Sequence, residues 1–165
     1  DGSTQGDLYC RGAAVVKRYL KMDELAVDNA NWFNTGDVAT IDKNGYMRIT
    51  DRSKDVIKSG GEWISSIELE NAAVAHDQVA EAAAIGVAHP KWDERPVIVV
   101  VSKPGEDPDP QQIIGKIAER VAKWQVPDDV IFLDSIPHTA TGKISKLELR
   151  NLLKDRGYQH PDIEK

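Results

Sequence analysis

Long apolar runs, paired cysteines and an excess of positive charge are all missing from this chain of 165 residues. No stretch approaches the apolar length of a membrane span, and none near the start reads as a signal peptide. The one cysteine, Cys10, has no partner for an internal disulfide. Within Leu8-Tyr9-Cys10-Arg11 it reads as a buried, inert thiol in a strand. A reducing compartment, the cytoplasm, is the default expectation. The formal charge of -6 and pI near 5.2 exclude the basic stripe of a nucleic-acid binder. His76, His89, His138 and His160 are scattered without metal-ligand spacing, so no metal site is expected and all four are read as surface residues. A starting methionine is also lacking. The chain opens on Asp1, in mid-pattern, which is what a piece of a longer protein would show.

A hydrophobic content of 41% suffices for one or two small cores. Residues 7–11 read as a strand, 13–20 have no clear period, and 29–34 form a polar loop carrying Trp32 and Phe33. Two β-rich runs, 38–41 and 46–50, flank Asp42-Lys43-Asn44-Gly45, a hairpin signal because Asn and Gly tolerate positive φ. This first part looks all-β, with few apolar faces. Ser65 and Glu68 then form a capping-box pattern for a helix to about Ala75. Val79 to Val87 reads as a strand cut short by Gly86 and His89-Pro90. Val97 to Val101 reads as a buried strand, and Asp109-Pro110 opens a helix whose face is Ile113, Ile117 and Val121. A strand over 129–133 precedes a last helix, capped by Ser145, faced by Leu149, Leu152 and Leu153, and ended by Gly157. Beyond Tyr158 a frayed tail is expected. The second part is thus an α+β unit of two or three strands and about three helices.

Between the two parts lies Asp51-Arg52-Ser53-Lys54-Asp55-Val56-Ile57-Lys58-Ser59-Gly60-Gly61-Glu62-Trp63. Its charges and glycines exceed what a plain hairpin needs, so it reads as a joint. Further on, Gly142-Lys143 in Pro137-His138-Thr139-Ala140-Thr141-Gly142-Lys143-Ile144 superficially resembles a phosphate loop. It is not a Walker motif, since neither Ser nor Thr follows the lysine and Pro137 stands where the first glycine belongs. A lysine on a small-residue loop can still enter a phosphate-transfer site. Alone, it would more often be an ordinary solvent lysine.

Four separated motifs together change that balance. Trp32-Phe33-Asn34-Thr35-Gly36-Asp37, Asp51-Arg52, Gly60-Gly61-Glu62 and the Thr-Gly-Lys loop, in this order, resemble the adenylate-forming superfamily of acyl-CoA synthetases, luciferases and adenylation domains. The run from Ile49 to Ser65 is most similar to medium- and long-chain fatty-acyl-CoA synthetases. The resemblance implies that residues 1–53 are the β-rich end of a large N-terminal AMP-binding domain and 54–165 a small, mobile C-terminal domain. It implies ATP binding by Asp37, whose carboxylate suits the ribose hydroxyls, and by Arg52, whose bland alternative is a surface ion pair with Asp51 or Asp55. Lys54 matches the hinge, Lys58 a lysine used in the second half-reaction, and Lys143 the lysine that forms the acyl-adenylate. Gly60 and Gly61 match the turn beside the pantetheine tunnel of CoA, although a hairpin alone could require them. Trp92 matches an aromatic near CoA, although packing alone could explain it. The acidic run after Trp124 departs from ligases that set cations there.

The resemblance implies a fatty-acid–CoA ligase. A fatty acid and MgATP give acyl-AMP, and CoA then gives acyl-CoA, with the domain rotating about Lys54 in between. ATP, Mg2+ bound mainly by the upstream part, coenzyme A and the fatty acid are the implied partners, together with the chain's own N-terminal domain. No nucleic acid or transmembrane segment is implied, and homo-oligomerisation stays open. An isolated piece is expected to be inactive. Two other classes remain: an adenylation domain that loads a carrier protein, and a non-catalytic α+β interaction module.

Overall fold

The computed structural model describes residues 1–161. The chain divides into two compact units, Asp1–Lys54 and Asp55–Lys165. Among the described residues no helix is long and apolar enough to cross a membrane.

The first unit is a three-stranded antiparallel sheet in the order β1 (Gly6–Cys10), β2 (Phe33–Ile41), β3 (Met47–Arg52). The hairpin between β2 and β3 turns on Asp42, whose side chain accepts from the backbone N–H groups of Asn44 and Tyr46. Gly45 takes the positive φ, at 85°, and Asn44 does not, so the turn rests on an Asx bond and one glycine. The irregular residues before β2 are held by Asp28, which accepts from the N–H groups of Ala30 and Trp32. The strand begins at Phe33, earlier than the polar loop expected to extend to Asn34. Cys10 is half-buried at the end of β1 rather than enclosed. The core here is thin: among the described residues only Val38 and Ala39 are buried hydrophobics in this unit.

The second unit is α+β, with a five-stranded mixed sheet and three helices. Its strands are β4 (Ile57–Ser59), β5 (Glu62–Ile64), β6 (Val79–His89), β7 (Asp93–Ser102) and β8 (Asp129–Phe132); its helices are α1 (Ser66–Val74), α2 (Pro110–Ala118) and α3 (Lys146–Asp155). The sheet order is β5-β4-β7-β6, with β8 parallel to β7. The sheet exceeds the expected two or three strands because the charged stretch contributes two short ones. Residues of α1 and α2 pack with Ala82, Ala84, Ile98 and Val100, while Leu149 and Leu153 of α3 pack with Ala83, Ile85 and Val99. Alternate residues of β6 and β7 therefore face two different helical layers. This explains why the Ala-rich run of β6 is a strand: it is covered on both faces, and burial outweighs its helical propensity.

Local signals set the helix starts. Ser65, Asp109 and Ser145 each accept a backbone N–H of the first turn with the side chain, as their sequence patterns predict. Ile113 and Ile117 are fully buried, and Val121 packs beside them beyond the helix end. Three expectations fail. Gly86 does not end its strand: β6 continues to His89, and a Cβ on Gly86 would lie 2.6 Å from the Glu94 carboxylate. The glycine makes room for a cross-strand acid instead. Nor is the tail frayed through His160, and His160 is not a surface residue: its ring is fully buried. Residues 162–165, the far end of that tail, lie outside the described residues.

Ile98 sits at the centre of the sheet with no exposure. Ile98→Ala should cost about 2–5 kcal/mol. Urea unfolding should show a lower midpoint at unchanged slope.

Candidate functional site

In the first unit, Asp37 and Arg52 are direct cross-strand partners. Arg52 Nη1 donates to Asp37 Oδ1 at 2.7 Å. Gly36, at φ 72°, lets the guanidinium lie 3.6 Å from where its Cβ would be. The ion-pair partner of Arg52 is thus Asp37, not its sequence neighbours Asp51 or Asp55. The pair offers an acid and a partly exposed cation side by side, a donor–acceptor combination suited to polyhydroxylated, anionic ligands.

Lys54 is exposed and stands between two anchored neighbours. Ser53 is tied into the first unit: its N–H donates to Gly36 O at 2.9 Å and its hydroxyl to Asp7 Oδ1 at 2.7 Å. Asp55 is tied into the second unit through Arg150 of α3, whose two terminal nitrogens donate to Asp55 Oδ1 at 3.3 Å. Lys54 thus lies at the division between the two units, and each neighbour is held within its own unit.

The β4–β5 hairpin turns on Gly60 and Gly61, at φ 60° and 86°. Two consecutive positive φ values are the signature of a turn that glycine adopts without strain. Gly60 has a second constraint. Its N–H donates to Trp92 O at 2.8 Å, and a Cβ would lie 3.1 Å from Trp92 Cε3. A Cβ on Gly61 would meet open space. Lys58 points outward from β4, its backbone N–H bonded to Glu94 at 3.0 Å.

Gly60 and Trp92 line a cavity of about 400 Å³ with Ser59, Glu62, Arg95, Trp124 and Asp128. Among these, Arg95 was missed by sequence reading. The guanidinium forms a two-pronged pair with Asp128, both contacts at 2.7 Å. It also donates to Ser59 Oγ, Trp124 O and Val126 O. His160 Nε2 contacts Asp128 Oδ2 at 3.0 Å, and the His160 ring meets His89 edge-on at 4.9 Å. His89 Nδ1 in turn accepts from the N–H groups of Lys91 and Trp92. The acidic run after Trp124 therefore spends the charge of Asp128 inward. Burial pushes the Asp128 carboxyl up, but the hydrogen bond and charge of Arg95, helped by His160, outweigh it and hold the group below its ordinary 3.8. Nearby, burial and then the hydrogen bond to Asp129 push the Tyr158 phenol well above its ordinary value. A usable signal existed: Arg95 and Asp128 each stand just before a β-rich run, and parallel pairing of those runs brings the two charges together.

Lys143 lies in a tight loop. His138 and Ile144 form an antiparallel bridge, Thr139 N–H donates to Lys143 O at 2.7 Å, and Lys143 N–H donates to Thr139 Oγ1 at 3.2 Å. The Lys143 side chain is exposed at the tip. The loop is fastened to Glu81 of β6 through His138, whereas Trp92 lies in the turn that follows His89. Eight residues of extended strand, roughly 26 Å, separate Glu81 from His89. The lysine loop and the glycine turn are therefore held at different ends of one ladder. Among the described residues no group of three or more His, Cys, Asp or Glu side chains could hold a metal ion.

Comparison with known proteins gives these sites a context. The AMP-binding enzyme C-terminal domain family matches residues 68–143. A 3-methylmercaptopropionyl-CoA ligase of Ruegeria lacuscaerulensis is 56% identical over 94% of this chain and 29% of its own length. A medium-chain-fatty-acid–CoA ligase of Ectopseudomonas oleovorans is 46% identical over 94% of this chain and 28% of its own. The chain thus spans under a third of these curated relatives. Among solved structures, ATP-bound MatB from Rhodopseudomonas palustris superposes with a TM-score of 0.82 at 32% identity, over 94% of this chain and 31% of MatB.

Gly60→Ala forces a left-handed φ on a residue with a Cβ pressed against Trp92. It should cost about 1–2 kcal/mol and alter tryptophan fluorescence; Gly61→Ala should leave the fluorescence unchanged. Because the native Asp128 pKa lies below 3.8, its stabilisation is complete above that value and fades as pH falls through the native pKa. Asp128→Asn should therefore be less stable than wild type near neutrality, and the gap should narrow on acidification in pH-dependent urea melts.

Proposed function

From the premise that the chain belongs to the adenylate-forming enzymes and carries their AMP-binding enzyme C-terminal domain at residues 68–143, we propose that it serves an AMP-forming acyl-CoA ligase. On this reading residues 1–53 complete the AMP-binding domain and 54–165 form the mobile domain. The observation that carries the proposal is the position of Lys54 between two anchored neighbours, joined to a unit that holds two functional turns at different ends of one ladder. One active site can meet both turns only in succession, if the unit rotates.

In the first half-reaction the acid's carboxylate attacks the α-phosphate of ATP, and pyrophosphate leaves. Asp37 accepts from the ribose hydroxyls, and Arg52 holds that carboxylate in place and faces the phosphates. Lys143 brings an exposed point charge to the phosphate oxygens as negative charge builds. Residues of the upstream part would hold the Mg2+ that accompanies ATP, which would supply charge to offset the phosphates. In the second half-reaction the CoA thiolate attacks the acyl carbon and AMP leaves. The Gly60-Gly61 turn then lines the thiol arm, Trp92 offers an aromatic face to CoA, and Lys58 enters from the neighbouring strand. With Asp128 spent on Arg95, Lys91 supplies a cation beside that face, its Nζ 4.5 Å from the Trp92 ring.

We propose a fatty-type acid as substrate, in keeping with the names of the relatives, and a cytoplasmic setting. The 165 residues alone should not release pyrophosphate from ATP. In the full-length ligase, Lys143→Ala should abolish adenylate formation yet spare thioester formation from supplied acyl-adenylate; equal losses in both would overturn the assignment. Lys54→Pro should slow the second half-reaction selectively, and an unchanged rate would exclude the hinge. AMP release that depends on CoA, assayed from 3-methylmercaptopropionate through medium-chain acids, would separate this reading from carrier-protein loading, which proceeds without CoA.

A further inference from the structure

The loop that carries Lys143 is fastened on one side by a histidine–carboxylate hydrogen bond and on the other by an ion pair, neither anticipated by the sequence motifs. Five residues before Lys143, His138 Nε2 lies 2.6 Å from Glu81 Oε1 on β6. Three residues after it, Lys146 Nζ lies 2.6 Å from Glu70 Oε1 on α1 and also donates to the Ser66 hydroxyl. Glu70 Oε1 accepts in addition from the Ala84 N–H of β6 at 2.9 Å. Both fasteners thus end on the same strand, one directly and one through a shared carboxylate. The Lys146 and Glu70 side chains are only 10% and 17% exposed.

A nearly buried ion pair is a poor source of stability, since its desolvation cost offsets most of the attraction and well-packed apolar residues would hold as well. What such a pair supplies is a fixed geometry. Between the fasteners the backbone is closed by the His138–Ile144 bridge, and Ser145 N–H donates to Pro137 O at 2.8 Å. The origin of the Lys143 side chain is therefore fixed relative to the sheet, although its ammonium is exposed.

We infer that Lys146 and His138 are positioning residues for Lys143, acting through Glu70 and Glu81 to hold the lysine loop against β6 for adenylate formation. The inference rests on the reading of Lys143 given above. It assigns both contacts to one half-reaction, because the glycine turn is held at the other end of the ladder, by Trp92.

The test uses Lys146→Met, Glu70→Gln and His138→Gln in the full-length ligase, with both half-reactions measured in each. Adenylate formation should slow by about ten- to a hundredfold for Lys146→Met, as expected when a supporting contact is lost and the acting group shifts. Thioester formation from supplied acyl-adenylate should stay within about twofold of wild type. Lys146→Arg, which keeps the charge, should recover most of the rate. Glu70→Gln keeps an acceptor for Ala84 while removing the charge, and serves as the test where Lys146→Met does not fold. Wild-type adenylation in Lys146→Met or Glu70→Gln, or a parallel fall of both half-reactions, would overturn the inference. Retained adenylation in Lys143→Ala would instead overturn the reading beneath it.

Discussion

The antiparallel ladder of β6 and β7 is the constraint on which the second unit depends. Its residues are buried on both faces, by α1 and α2 on one side and α3 on the other. Burial of this kind contributes about 25 cal/mol per Å² of apolar surface and leaves little room for bending. The candidate functional turns of the second unit hang from this ladder. Trp92 sits in the turn between the two strands, Arg95 in β7, and Glu81 and the Ala84 N–H in β6. The loops are exposed and rich in small residues, yet each is referred to a rigid strand.

Polar groups do the fastening. Arg95 binds Asp128 in two prongs, and through Ser59, Trp124 and Val126 it joins the β4 hairpin to the segment before β8. Glu70 plays the matching part near α3, with Lys146 and Ala84 as partners. An unpaired charge at such depth would be costly, and each of these is paired. Shared acceptors place separate chain segments on a common origin, which apolar contacts alone do less specifically.

The local chemistry was legible in the sequence: the caps at Ser65, Asp109 and Ser145, the buried strand around Val97, and the family resemblance carried by Asp37, Gly60-Gly61 and Lys143. What stayed hidden depends on contacts remote in the chain. Gly86 looks like a terminator until Glu94 is seen opposite, because a glycine that breaks a strand and one that admits a neighbour read alike. Arg95 and Asp128 lie 33 residues apart, and only the parallel pairing of β7 with β8 brings them together. His160 sits in a polar tail with no periodicity, so its burial could not be foreseen. The role of Lys146 was masked by its place in a helix start, where a lysine is usually a solvent residue.

The central claim is that one rigid unit presents the Lys143 loop and the Gly60-Gly61 turn to the same site in turn, by rotation at Lys54. The geometry favours it, since anchored residues flank Lys54 and the two turns are held at different ends of the ladder. The most direct measurement is an electron-electron distance between spin labels at Tyr46 and Leu147, both well exposed, one in each unit of the full-length ligase. With ATP and acid, and then with an acyl-adenylate analogue and CoA, the account predicts two distinct distance distributions that exchange as the ligand changes. A single distribution, unchanged between the two conditions, would contradict it.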